Sequence, residues 1–283
     1  MGTSNTRDRT YSFTPKIPGP FALTFIGLGI PIFIASWVFI FVESQGKRSL
    51  FSLENLDRAQ SFLGQVFGAD TWKSRGAELP DVFILATDTI AMSVLAIALA
   101  GVFSVVLLPL ATARQDDQRA GYLANSGYAV MRALFVFTRA VPELLWALIV
   151  VFIISPGIFA GAIALAIHNF GVIGRLGADS IESLDRAPVV ALESTGASSA
   201  QRYVIGVLPL VSRQLLTFLF YRWEVIIRTT AVVGFVAASG IGYQMRLDLS
   251  LFRYDEVGRL LIAYVVIVWM VDLLSTLVRR AFK

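Results

Sequence analysis

The sequence predicts an all-α polytopic membrane protein of about six transmembrane helices, on three observations. Of its 283 residues 56% are hydrophobic and 16% charged, with a mean hydropathy of +0.69, more apolar than a water-facing surface accommodates. A hydrocarbon core of about 30 Å needs roughly 20 apolar residues per helical crossing. Phe21 to Val42, Ile90 to Ala113 and Leu144 to Gly174 supply runs of 22, 24 and 31 residues without Lys, Arg, Asp or Glu. Polar stretches separate these runs, and inside a bilayer the backbone of each must satisfy itself as helix.

The elements follow in order. Phe21 to Val42 is the first span, with Pro31 inside it. Glu43 to Pro80 mixes charges with isolated aromatics and reads as a solvated loop carrying a short surface helix. Ile90 to Ala113 is the second span, closed by Arg114 to Arg119. Leu144 to Gly174 overshoots one crossing at 1.5 Å per residue, and Ser155-Pro156-Gly157 supplies the turn that divides it. The division leaves 11 apolar residues before the turn, so the third span is expected to begin near Ala133 and to carry Arg139 and Glu143 within one helix. Gly157 to Leu176 is the fourth span, opening on a small-xxx-small pair, Gly157 and Gly161, suited to close helix packing. Asp179 to Arg213 is polar and lies outside the bilayer. Gln214 to Gly240 is the fifth span and encloses Arg222, Glu224 and Arg228; Leu260 to Val278, with Asp272, is the sixth.

Several function classes are excluded or left without support. There is no cysteine, so no disulfide, thiolate nucleophile or thiolate metal site exists, and redox compartment is not legible. The net charge of +4 comes from 20 arginines and four lysines scattered through loops, unlike the clustered basic and aromatic surface that binds nucleic acid. No G-x-x-x-x-G-K-[ST] occurs, so the chain brings no P-loop of its own, and no H-E-x-x-H is present. Gly196-Ala197-Ser198-Ser199-Ala200 echoes a nucleophile elbow only faintly, with no strand before it. An enzyme is not expected.

Six crossings place both termini on one side. The connecting segments 1–20, 111–132, 175–213 and 279–283 hold thirteen Lys and Arg, against eight in the alternate loops, which orients both ends toward the cytoplasm of a cell membrane. Residues 1–80 are accordingly read as a cytoplasmic tail, first helix and extracytoplasmic loop. Residues 81–283 form the core, with a cytoplasmic loop at about 178–210. The polar start of the chain, followed by a run too long for a secretory signal, reads as a retained first span.

That loop is the most informative stretch. Ser180 to Ser198 suggests a short amphipathic helix, then a glycine that permits a sharp bend, then a second segment ended by Pro209 at the membrane surface. It is either an ordinary connector or a lever. Its spacing resembles the motif of ATP-binding-cassette (ABC) importer permeases of type I: Glu-Ala-Ala, three residues, Gly, nine residues, Ile, one residue, Leu-Pro. Gly196, Leu208 and Pro209 fall in register, while Val190 stands at the glutamate position and Gly206 at the isoleucine position. Glu193 lies three residues late and does not inherit the glutamate's role. Leu184-Asp185, Pro188-Val189, Ala191-Leu192 and Thr195-Gly196-Ala197-Ser198 resemble the phosphonate permease branch in particular, as do Arg139 to Leu148, Tyr221-Arg222-Trp223-Glu224, Arg228, Gly234 and Ser239 to Tyr243.

The resemblance implies a permease subunit importing phosphonate or a related oxyanion such as phosphite or phosphate. Two ABC ATPase subunits would dock on Ala191, Leu192, Glu193, Ser194, Thr195, Gly196, Ala197 and Ser198. An extracytoplasmic substrate-binding protein, a second permease copy and membrane lipid complete the implied partners. No cofactor would be bound by this chain, ATP and Mg being held by the ATPase.

Charges inside spans are costly and face protein or water. Arg139 and Glu143, and Glu224 and Arg228, stand four apart, the spacing at which side chains on a helix meet. They form internal ion pairs, or else Arg139, Arg222 or Arg228 lines a translocation route and favours an anion. His168 on an apolar span is a packing and hydrogen-bonding residue or a contact on that route. Gly234, Gly240 and Gly242 suggest close packing, a hinge or simple helix termination. A secondary transporter or anion channel, in which the same charges gate or couple without any ATPase, is the competing reading.

Overall fold

The structure, a computed structural model, describes residues 20–47, 53–68, 79–112, 122–237 and 239–281. Among these, every regular element is helical. The expected cytoplasmic tail, residues 48–52 and 69–78 of the expected loop, and the polar segment 113–121 lie outside the described residues.

The chain divides into two compact units, residues 1–61 and 62–283. In the first, α1 (Pro20–Lys47) is apolar on every side, and its large side chains from Ile26 to Val42 are exposed, as suits a helix whose solvent is lipid. Helix α2 (Leu53–Phe67) runs across the boundary and is amphipathic. Its exposed turn holds an Arg58–Glu54 pair at 2.5 Å, the favourable i,i+4 spacing. Within the second unit Phe62 meets Tyr254 edge to face at 5.2 Å. Buried Val66 lies so close to Gly258 that a Cβ there would collide with its carbonyl.

The second unit is organised around α6 (Ile158–Glu182), which packs against α3 (Leu79–Ala111), α4 (Tyr122–Ala140), α5 (Glu143–Ile153) and α9 (Leu208–Ala237). The reason is its composition: Ala160, Gly161, Ala162, Ala164, Gly171, Gly174 and Ala178 are all buried, and small side chains let backbones approach where lipid offers no hydrophobic drive. A Cβ on Gly174 would stand 2.3 Å from the edge of the Phe135 ring, and one on Gly177 would stand 3.0 Å from both Leu108 and Leu215. Gly161 is pressed against Met92 and Ala237, whereas Gly157, at φ +156°, faces open space and serves the turn. The two glycines of the predicted packing pair thus do different jobs.

By length and composition four described helices can cross a membrane: residues 81–111, 158–182, 199–237 and 254–281, the last being α11 (Tyr254–Ala281). The bent pair α4 and α5 has the length and composition of one further crossing if it is taken as a single broken span, and α1 adds the shorter apolar stretch 26–42. The third span is where the sequence reading fails. Instead of one helix from Ala133 through Glu143, α4 begins at Tyr122 and the chain turns by 98° into the separate 11-residue α5. Pro142 is the cause: it disfavours helical backbone at Val141 and has no N–H to continue the ladder. Trp146 closes the bend by donating its indole N–H to the Thr138 carbonyl at 3.0 Å.

The expected loop 179–213 is mostly helix. Helix α6 runs on to Glu182, α7 (Ala187–Ser194) follows as a separate short helix, and after a break at 195–198 the single turn α8 (Ser199–Gln201) and a π-helical segment (Arg202–Val207) lead without a break into α9. The fifth crossing therefore starts well before Gln214. Pro209 does not end a segment; it sits in the first turn of α9. The π turn just before it, with Leu208 N–H bonded back to the Tyr203 carbonyl, absorbs the register change that a proline without an N–H imposes.

The glycines Gly234, Gly240 and Gly242 mark the place where the chain leaves α9, but α10 (Gly240–Ser250), a short helix folded against α9 and α3, was not expected. Glycines make that possible: Gly240 adopts φ +68°, with Thr89 Oγ1 2.6 Å from where its Cβ would be, and a Cβ on Gly242 would collide with the Ala231 carbonyl. Thr89 Oγ1 also accepts the Ile241 N–H at 3.0 Å.

Candidate functional site

Two regions gather the functional candidates: the connector between α6 and α9, and a polar box where α5, α6 and α9 meet.

In the connector, Asp185 caps the start of α7 by accepting the Ala187 N–H at 3.0 Å, and Pro188 occupies the first helical turn, where a missing N–H costs nothing. Gly196, at φ +82°, ends the helix in the left-handed region that a glycine adopts freely. Ser198 and Gln201 then form a reciprocal capping box that starts the next helix. Ala191, Glu193, Ser194, Thr195, Gly196 and Ser198 are exposed, and Leu192 and Ala197 half-buried. Nothing lies within 4 Å of a Cβ built on Gly196. Glu193 pairs with Arg202 at 2.5 Å, tying α7 to the π segment. The departure at Gly206 has a packing reason: Leu192 lies over it, 2.8 Å from where a Cβ would stand. Tyr203 donates its hydroxyl to the Val105 carbonyl at 2.7 Å, fastening the connector to α3. A cavity of about 360 Å³, lined by Thr112, Glu182, Arg186, Val190, Arg202 and Tyr203 among others, opens beside α7.

Beneath the connector lies a network that sequence reasoning missed. Arg132 of α4 donates Nε–H to the Ala111 carbonyl at 2.8 Å, pairs through Nη1 with Asp179 at 2.9 Å and through Nη2 with Glu182, and stacks over the Tyr128 ring. Arg175 reaches the other oxygen of Asp179 at 2.9 Å. Asp179 and Glu182 stand three apart on α6, so both carboxylates face α4. The only sequence signal was that spacing, with no indication of which arginine answers it.

The polar box contains Glu143, His168 and Arg222 from the predicted route, joined by Asn169, which the sequence did not single out. Arg222 Nε donates to Asn169 Oδ1 at 2.8 Å, while fully buried Asn169 donates to the Leu165 carbonyl at 2.7 Å. Glu143, in the first turn of α5, stands 4.0 Å from Arg222 Nη2 and 3.4 Å from His168 Nε2, and His168 Nδ1 lies 3.0 Å from the Val141 carbonyl oxygen. The N-terminus of α5 favours that carboxylate independently of Arg222.

The pairing expected within helices is replaced by pairing between them. Arg139 and Glu143 lie on opposite sides of the Pro142 bend, with Arg139 exposed at the end of α4. Glu224 pairs with Arg279 at 2.6 Å and Arg228 with Asp272 at 2.7 Å, both across to α11, where Tyr264 also donates to the Arg228 carbonyl. A like helical spacing was a poor guide because Glu143, Glu224 and Arg228 each had a partner on a neighbouring helix.

Residues 120–283 match the family described as the binding-protein-dependent transport system inner membrane component. The chain belongs to this family. The permease is 35% identical over 196 residues to the phosphite transport system permease protein PtxC of Stutzerimonas stutzeri, covering 69% of each chain. It is 34% identical over 197 residues to the phosphate-import permease protein PhnE of Mycolicibacterium smegmatis, covering 70% of this chain and 36% of that longer one. In fold it is similar to the inward-facing MetNI methionine ABC transporter (TM-score 0.58, 20% identity, 74% of this chain and 100% of that one). A bacterial alginate ABC transporter is also similar (TM-score 0.54, 16% identity, 93% and 98%). The permease is thus a multi-pass component of an inner membrane transporter, which sets aside the secondary-transporter reading.

Proposed function

We propose that this permease imports a phosphonate, phosphite or phosphate oxyanion into the cytoplasm, driven by two separate ABC ATPase subunits docked on the end of α7 and the turn after it, Ala191 to Ser198. Cargo would be delivered by an extracytoplasmic binding protein, and a second copy of the permease would complete the pathway. The chain itself would bind no cofactor, ATP and Mg belonging to the ATPase.

The observation that carries this reading is the connector: a short capped helix with an outward face, held on a left-handed glycine between two membrane-crossing helices. A rigid element so placed transmits a push from an ATPase to α6 and α9 together. The relatives that transport phosphite and phosphate supply the cargo class, and Arg222 supplies a guanidinium suited to an oxyanion.

Reconstituted with candidate ATPase and binding protein, the permease should take up phosphite, phosphate or methylphosphonate only when ATP is present. Gly196→Arg should abolish ATPase co-purification while leaving the permease folded, because its side chain would meet open space and its backbone strain is local. Uptake that persists without any ATPase would sink the proposal. Orientation is open to cysteine labelling, since the chain has no cysteine of its own: Ala197→Cys should label from the cytoplasm and Gln60→Cys from outside.

A further inference from the structure

His168 is the chain's single histidine, and its two ring nitrogens face two oxygens. Nδ1 lies 3.0 Å from the Val141 carbonyl oxygen, which can only accept, so Nδ1 carries a hydrogen. In a neutral imidazole the other nitrogen is then bare. Yet Nε2 stands 3.4 Å from Oε1 of Glu143, and an ionised carboxylate also only accepts. Two lone pairs facing each other repel, and with these side chains only 13% and 24% exposed water does little to screen them. The contact becomes attractive when the pair holds one additional proton, which belongs to the pair rather than to either group.

That proton decides the charge of the box. Facing His168 are Glu143 from α5 and, beyond it, Arg222 from α9, with Arg139 exposed in the last turn of α4. Helix α3 adds no charge at this level, its residues from 90 to 111 being uncharged. Without the additional proton Arg222 and Glu143 cancel; with it, Arg222, Glu143 and His168 together carry one positive charge.

We propose that the His168–Glu143 pair is a proton-loading site that sets the charge of the Arg222 box, so that an oxyanion and one proton from water enter it together and leave it together. The inference rests on the reading that Arg222 faces the cargo. Thermodynamic linkage makes the effect reciprocal: the anion favours the proton as much as the proton favours the anion. His168 is a positioning residue, acting through the charge that Arg222 presents. Asn169, by holding Nε, leaves the Nη edge of the guanidinium for Glu143 or for cargo.

The single histidine makes the test direct. The permease, purified with an affinity tag that contains no histidine, is labelled with 15N-histidine and assembled with unlabelled partners. The imidazole should keep its hydrogen on Nδ1 throughout, and at a fixed pH near 7 inorganic phosphite should increase the fraction protonated on both nitrogens. Arg222→Gln should abolish that increase. In proteoliposomes, phosphite uptake by Glu143→Gln relative to wild type should rise roughly tenfold between about pH 6 and 8, because the glutamine amide donates to bare Nε2 without an extra proton and leaves Arg222 positive throughout. Co-purified ATPase reports that each variant folds and assembles. A hydrogen on Nε2 with Nδ1 bare, or an imidazole indifferent to phosphite in a complex that transports phosphite, overturns the proposal alone. An assembled, ATP-hydrolysing complex that carries none of phosphite, phosphate or methylphosphonate at any pH removes the cargo reading and this proposal with it.

Discussion

Arg132 and Arg222 have side chains that are 10% and 14% exposed, yet the fold treats them in opposite ways. Arg132 has two carboxylates, a backbone carbonyl and an aromatic face, with Arg175 sharing one of the carboxylates. Arg222 has one neutral side-chain acceptor and a carboxylate at 4.0 Å that is also drawn toward His168. A guanidinium with every face engaged holds structure, because desolvating it is repaid only by complete pairing. One that is tethered by a single nitrogen and loosely neutralised keeps part of its field for something else.

The comparison is open to a sharp break. Arg132→Gln should remove the guanidinium that joins the Ala111 carbonyl, Asp179 and Glu182, leaving Arg175 on Asp179, at a cost of about 1.5–3 kcal/mol, seen as a lowered melting temperature of the permease in detergent. A permease that melts normally with this change would show the network to be dispensable. Arg222→Gln should do the reverse. It should lower uptake roughly 10- to 100-fold, the equivalent of one charge-assisted hydrogen bond of about 1.5–3 kcal/mol, while assembly and melting stay near wild type. A large stability loss there would make Arg222 structural as well.

The smallest effect is expected at a buried carboxylate with an incomplete partner. Asp248 on α10 is 2% exposed and accepts from Gln244 at 3.2 Å to each oxygen. Burial pushes its carboxyl above the ordinary range, against the lowering effect of Gln244. The folded state therefore holds the proton more tightly than the unfolded chain does, so this group's contribution to stability falls as pH rises from the ordinary carboxylate range through the raised value. Asp248→Asn should remove that dependence and shift stability at pH 7 by about 1 kcal/mol or less, toward greater stability. A markedly destabilised variant would mean that the charge is needed.

How far the sequence could be read varied with the range of the interaction. The Ser155-Pro156-Gly157 turn, the existence of α3 and α11 and the glycine in the connector were legible because local chemistry decides them, but α3 begins at Leu79 rather than Ile90 and α11 at Tyr254 rather than Leu260, since charged residues at a span's end can still be helical. The expected straight third span was a failure of weighting: Pro142 was visible, but the need for a long enough crossing was allowed to outrank its effect on Val141. The polar box was half legible. Glu143, His168 and Arg222 stood out as charges or a histidine in apolar surroundings, whereas Asn169 did not, because an uncharged amide on a span becomes informative only when its neighbour is known.

By itself the sequence determined that the chain is helical and lives in a membrane, since runs of about 20 uncharged residues have no other stable solvent or backbone arrangement. It also determined that Gly196 permits a sharp bend inside the connector, between a short helix and the segment that leads to Pro209. Tertiary structure alone decided who pairs with whom. Arg132 with Asp179, Glu224 with Arg279 and Arg228 with Asp272 are choices among helices whose contacts depend on where small residues let backbones close up, and no spacing within one helix contains that information.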